Sequence, residues 1–95
     1  MKIYIAGKIT GDPNYKAKFA KCAAFCRTMA TVLNPAETPE GLTNADYANI
    51  SIAMINAADA VAFLPDWEES KGARLEHDYC EYIGKPTVIL REKRR

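Results

Sequence analysis

The sequence predicts an α/β protein in three layers: a four-stranded, mainly parallel sheet with helices on both faces. Three observations carry this. Short β-rich runs alternate with longer helical ones along the chain. Each connection between successive strands is long enough to hold a helix, as a parallel crossover requires. The run Ala60-Val61-Ala62-Phe63-Leu64 is apolar without a break, which suits a strand covered on both sides.

Taken in order, residues 2–6 (Lys-Ile-Tyr-Ile-Ala) form a β-rich run ended by Gly7, and residues 7–13 form a loop. Residues 14–29 read as a helix, with Phe19, Cys22, Ala23, Cys26 and Met29 in one stripe. Thr31-Val32-Leu33 is a second strand stopped by Asn34-Pro35, and the Pro- and Gly-bearing residues 35–44 are a loop long enough to hint at function. Residues 46–57 read as a second helix, N-capped by Thr43 or Asn44, with Tyr47, Ile50, Met54 and Ala57 or Ala58 on its inner side. The strand 60–64 is followed by the loop 65–69. A third helix runs over residues 71–83, Gly84 ends it, and residues 86–90 make the last strand. For four strands the doubly wound order is 2-1-3-4, a flavodoxin- or Rossmann-like arrangement whose crevice opens between strands 1 and 3. The loops 7–12 and 65–69 flank that crevice.

Composition narrows the function classes. Ninety-five residues make one domain, 1–95, of which 90–95 is a basic tail read as a solvated terminus. Thirteen basic and twelve acidic residues nearly cancel, so no broad footprint for a nucleic acid polymer is expected. No apolar run reaches membrane-spanning length and there is no charged-then-apolar leader, so the expected setting is cytoplasmic. Cys22, Cys26 and Cys80 read as buried reduced thiols, and neither a metal site nor a cofactor is expected.

One residue resists a bland placement. On the third helix Glu76 falls in line with Gly72, Cys80 and Ile83, the face turned to the core. Either it edges into solvent at the margin of that face, or it is a carboxylate aimed into the crevice. Burying it unpaired costs several kcal/mol, and a helix N-terminus returns at best about 2, so a crevice carboxylate needs water or a donor. Tyr4 is that donor: Ile3 and Ile5 point to one side of the first strand and Tyr4 to the other, and a buried phenol needs a partner. A backbone carbonyl could equally take the Tyr4 hydroxyl.

Other candidates each have two readings. The loop Gly7-Lys8-Ile9-Thr10-Gly11 is an anion cradle or a plain strand-to-helix turn. Ser70 is an N-cap and a hydroxyl for a phosphate or sugar. Trp67 is a rim aromatic that stacks a base or a cover for the sheet edge. His77 is read as exposed, and Arg74 with Asp78 as a surface i,i+4 pair.

These residues resemble the nucleoside 2-deoxyribosyltransferase-like superfamily, most closely its deoxynucleoside 5′-monophosphate N-glycosidase branch and small bacterial and phage relatives. The resemblance lies in Tyr4-Ile5-Ala6-Gly7-Lys8-Ile9-Thr10-Gly11, in Asp59 to Leu64, and in Ser70-Lys71-Gly72-Ala73-Arg74-Leu75-Glu76. It implies that Glu76 is a nucleophile at C1′ of a 2′-deoxynucleoside or its monophosphate, oriented by Tyr4. Ser70, Gly72 and the Lys8–Gly11 loop would hold the 5′ end. It also implies a homodimer. The family's acid for the leaving base falls at Ser51, with Asp46 the nearest carboxylate before it. The competing classes are a nucleotide- or ADP-ribose-like ligand-binding module of the same fold, and a protein–protein adaptor.

Overall fold

The computed structural model describes residues 1–91; apart from Leu90 and Arg91, the basic tail lies outside them. Its strands are β1 (Lys2–Ala6), β2 (Thr31–Leu33), β3 (Ala60–Phe63) and β4 (Thr87–Ile89), and its helices α1 (Tyr15–Cys26), α2 (Asn44–Ala57) and α3 (Lys71–Ile83). The sheet order is β2-β1-β3-β4 and every pairing is parallel, with Tyr4 opposite both Leu33 and Val61. The expected three-layer α/β topology is the one observed. Among the described residues no helix is long and apolar enough to cross a membrane.

Strand alternation divides the core in two. Ile5 packs with Phe19, Cys22, Ala23 and Cys26 of α1 on one face. Tyr4, Ala6, Val61 and Phe63 pack with Ile55 and Cys80 of α2 and α3 on the other. All three cysteines are free and buried. With crossovers of the same right hand, β1 to β2 steps one way across the sheet and β3 to β4 the other, which puts α1 on one side and α3 on the other.

Local chemistry sets the helix ends. Thr43 and Asp46 close a capping box on α2: the Thr43 hydroxyl accepts the Asp46 N–H and the Asp46 carboxylate accepts the Thr43 N–H, both at 3.1 Å. Ser70 Oγ accepts the Ala73 N–H at the start of α3. Gly84, at φ +75°, ends α3 in the left-handed conformation, with Lys85 N–H reaching the Cys80 carbonyl at 2.9 Å.

Two boundaries and one face differ from the expectation. α1 stops at Cys26 rather than running to Met29, because the Thr28 hydroxyl and N–H both turn back to the Phe25 carbonyl; Met29 stands exposed beyond it. β4 covers only the middle of residues 86–90. On α2 the fully buried residue is Ile55, not the Tyr47–Ile50–Met54 side. That stripe is rotated so that Ala48, Ser51 and Ile52 line a cleft ahead of Ile55.

Gly7 lets β1 leave the sheet past β3. A Cβ there would stand 2.9 Å from Leu64 Cβ and 2.7 Å from its Cδ1, closer than carbons approach. We expect Gly7→Ala to cost about 1–3 kcal/mol of stability through this overpacking, read from urea unfolding. Wild-type stability in that variant would show that Leu64 yields freely.

Candidate functional site

The cleft opens where β1 and β3 diverge, and holds about 510 Å³, within the range of pockets that bind small molecules. Tyr4 supplies its floor. Gly7, Ile9 and Thr10 form one wall and residues 69–73 with Leu75 and Glu76 another. Pro35, Thr38, Asn44, Tyr47, Ala48, Ser51 and Ile52 close the third side.

Tyr4 is 1% exposed because β1 is the sheet's second strand, covered by α2 and α3. Its hydroxyl donates to Glu76 Oε2 at 3.1 Å, the partner expected for both groups. Glu76 sits in the second turn of α3, directly above Cys80. Burial lifts its pKa from 4.5 to about 7, against the opposing pull of the Tyr4 and Ser51 hydroxyls. A hydrogen bond to a charged group is worth about 1.5–3 kcal/mol, so two hydroxyls temper the desolvation of the carboxylate without cancelling it. Tyr4 is in turn held well above its ordinary pKa, by burial first and by the Glu76 charge second. It therefore stays a donor. The pair is a partly desolvated carboxylate with one fixed donor, facing an open cleft.

The start of α3 is the second feature. Ser70 Oγ caps Ala73, and the first two N–H groups, of Lys71 and Gly72, have no intrahelical acceptor. Beyond its chain neighbours and its own helix backbone, nothing comes closer than Ser70 Oγ, 3.8 Å from where a Gly72 Cβ would stand, so the missing side chain leaves cleft space over these amides.

Of the residues singled out from sequence, Tyr4, Gly7, Ile9, Ser51, Ser70, Gly72 and Glu76 come together around the cleft. Lys8, Gly11 and Trp67 do not. Gly11, at φ +82°, is the left-handed residue of a turn closed by Asp12 N–H on the Ile9 carbonyl. The Lys8 ammonium pairs with Glu69 at 3.8 Å and its N–H donates to Asp66. The loop makes the strand-to-helix turn, with Lys8 held by Glu69 and Asp66 outside the cleft. Trp67 lies edge-on to Phe63 and stacks on His77, with ring centroids 4.4 Å apart. His77 is therefore packed, not exposed, and Trp67 covers the sheet rather than the cleft rim. The reason is the 3-10 turn Trp67–Glu69, which swings the indole onto the Phe63 side of α3. Arg74 turns to the Glu68 carbonyl instead of Asp78. Asp46 is spent in the α2 capping box and is exposed.

Sequence reasoning missed Thr38, Asn44, Tyr47 and Lys71 as cleft residues. Tyr47 donates to the Pro39 carbonyl at 2.8 Å and accepts the Leu42 N–H, so it fastens the 39–42 loop beside the opening. Its place ahead of the Ala48–Ser51–Ile52 stripe was the available signal. His77, Asp78 and Glu81 could converge on a metal, with ligand atoms within 4.8 Å of one another. None of the three lines the cleft.

The raised pKa of Glu76 has a stability consequence. Unfolded, the group ionises near 4.5; folded, near 7. Between these values the native state holds more protons, so stability falls as pH rises through that window. Above pH 7 the full penalty applies, about 3 kcal/mol or slightly more; below 4.5 it vanishes. We expect Glu76→Gln to be more stable than wild type by about that amount at pH 8 and equal to it at pH 4, in denaturant titrations at both pH values. A pH-independent difference would contradict the buried titrating carboxylate.

The family model described as "Domain of unknown function (DUF4406)" matches residues 1–89. No curated protein matches the sequence. Among solved structures, the chain is similar to a 2-desoxiribosyltransferase from Leishmania mexicana, at 25% identity and a TM-score of 0.76; the match covers 99% of this chain and 66% of that one. This chain thus corresponds to a little under two thirds of that relative's length. From the matched span and the shared fold, the chain belongs to the DUF4406 family, a small domain of the nucleoside 2-deoxyribosyltransferase-like superfamily.

Proposed function

We propose that this protein cleaves the N-glycosidic bond of a 2′-deoxynucleoside or its 5′-monophosphate, with Glu76 as nucleophile. The observation that carries the reading is the Tyr4–Glu76 pair, a carboxylate with a pKa about 7 held by one buried hydroxyl at an open cleft. The deoxyribosyltransferase neighbour supports the same class of reaction.

In this reading Glu76 attacks C1′ from the face opposite the base. A carbon–oxygen bond forms as the C1′–N bond breaks, and the base departs with the bonding electrons. Water then attacks C1′, giving up a proton to solvent, and Glu76 leaves as a carboxylate. A second base in place of water makes the reaction a transfer. Two displacements retain the anomeric configuration. Tyr4 orients the carboxylate, and Ser51 tempers its charge. The 5′ group lies at the start of α3, where Ser70, Lys71 and Gly72 offer a hydroxyl, an ammonium and two free N–H groups. No cofactor enters.

The acid for the leaving base is the weak point of the site, and it motivates a second reading. Among the described residues the other carboxylate lining the cleft is Glu69, 70% exposed and paired with Lys8. Ser51 occupies the leaving-base side and cannot act as a strong acid. The base would take its proton from solvent, or the cleft would hold a nucleotide or ADP-ribose-like ligand without turnover.

Incubation with each deoxynucleoside and deoxynucleotide, with free base measured, separates these readings. Release is expected, rising with pH as Glu76 ionises through about 7. Glu76→Ala should abolish it, by roughly a thousandfold or more. Tyr4→Phe should slow it about 10- to 100-fold, the worth of one hydrogen bond to a charged group, and move the acidic limb to higher pH, since the Tyr4 hydroxyl lowers the Glu76 pKa. Ligand protection against thermal unfolding without base release favours the binding module.

A second copy of the chain is part of the proposal. β4 is exposed along its length, with Val88 at 51% and Ile89 at 44%, whereas parallel strands are ordinarily covered on both faces. We expect light scattering to give a dimer mass, and Val88→Glu to give a monomer. A monomeric wild type removes this part of the reading.

A further inference from the structure

Between β1 and β3 the last main-chain hydrogen bond runs from the Leu64 N–H to the Ala6 carbonyl, at 2.7 Å. Past it the two cleft loops separate, and among the described residues no main-chain bond joins them again. The tie is made by side chains. Lys18, on α1, donates to the Lys8 carbonyl at 2.8 Å and to the carboxylates of Asp12 and Asp66. The other oxygen of Asp66 accepts the Lys8 N–H at 3.2 Å. One ammonium therefore holds the loop after β1 at two points and the loop after β3 at one. The side chains of Lys18, Asp12 and Asp66 are each about three-quarters covered. Burial opposes the Lys18 charge, but the bonds to Asp12 and Asp66 outweigh it and raise its pKa.

The first of these loops carries one wall of the cleft, Gly7, Ile9 and Thr10, and the second leads into the other, Ser70 and Gly72 at the start of α3. We propose that Lys18 is a positioning residue that sets the gap between those walls, and with it the fit of the sugar's 5′ end. Lys18 touches nothing in the cleft itself. It acts because Asp12 and Asp66 converge on one ammonium: without it, two carboxylates face each other and the loops part. Tyr4 on β1, and α3 with Gly72 and Glu76 on it, are anchored in the core through Ala73 and Cys80, so the gap changes by movement of the loop after β1 and the reacting groups keep their geometry.

The proposal rests on the cleft being the substrate site, and the test keeps the two ideas apart. Lys18→Met, Lys18→Arg and Asp66→Ala are made in the full chain, each checked for cooperative unfolding above the assay temperature. Kinetics with a deoxynucleoside that wild type turns over should show KM up about tenfold in Lys18→Met and kcat within about threefold, with Lys18→Arg near wild type. Asp66→Ala, which breaks the clasp from the other loop, should repeat the KM defect and serves where Lys18→Met does not fold. An unchanged KM, or a kcat loss exceeding the KM change, overturns the proposal. Amide exchange judges it independently of turnover: the Lys8 N–H should exchange at least about tenfold faster in Lys18→Met, while Tyr4 and Ile5 in β1 stay as in wild type. Wild-type exchange at Lys8 overturns the clasp. Absence of base release from wild type overturns only the catalytic reading, and the exchange result then decides.

Discussion

The hydrogen bond between Tyr4 and Glu76 is the constraint around which this small fold is arranged. A carboxylate on the inner side of α3 is costly, by several kcal/mol if it is unpaired. The Tyr4 hydroxyl, with Ser51 beside it, recovers part of this, and the residue of the cost appears as the raised pKa of Glu76. The pair joins the second strand of the sheet to a helix seventy-two residues later. It can exist only because the β2-β1-β3-β4 order brings β1 beside β3, and so beneath α3. Tyr4 must point away from α1, which in turn forces Ile5 onto the α1 face.

The cleft follows from the same order. Chains leaving β1 and β3 turn to opposite faces of the sheet, so their loops diverge and leave a space at the strands' carboxyl ends. Gly7 allows β1 to pass Leu64 before that divergence, and the Lys18–Asp66–Asp12 cluster limits it. The first turn of α3 then faces the space with free N–H groups, while Glu76 enters from the next turn. Stability and chemistry pull against each other here: an unburied Glu76 would cost less and would be an ordinary carboxylate.

Much of this was legible in the chain. Alternating short apolar runs and helical stripes led to the topology, and the topology located the crevice. Tyr4 could be assigned as Glu76's partner because strand alternation puts it on the inner face of β1. Ser70 and Gly84 act as the caps their residue types suggest. What failed had a common character. The Trp67–His77 stack was not seen, because it depends on a 3-10 turn that rotates an indole. The α2 stripe was placed a step round the helix, because that helix is apolar on more than one side and periodicity alone does not choose. Nothing in the sequence singled out Lys18 on α1. Its role depends on Asp66, forty-eight residues away, and on a flexible side chain that can reach either water or a carboxylate.

By itself, then, the sequence determined the order of strands and helices, the caps that bound the helices, and the inward aim of Tyr4, since each follows from residues close in the chain. The tertiary structure alone decided which charges meet: Lys8 with Glu69, and Lys18 with Asp66 as well as Asp12. Backbone patterning is local and repeats. Long charged side chains take their partners from whatever the assembled loops bring within reach, and that distance is set by the fold.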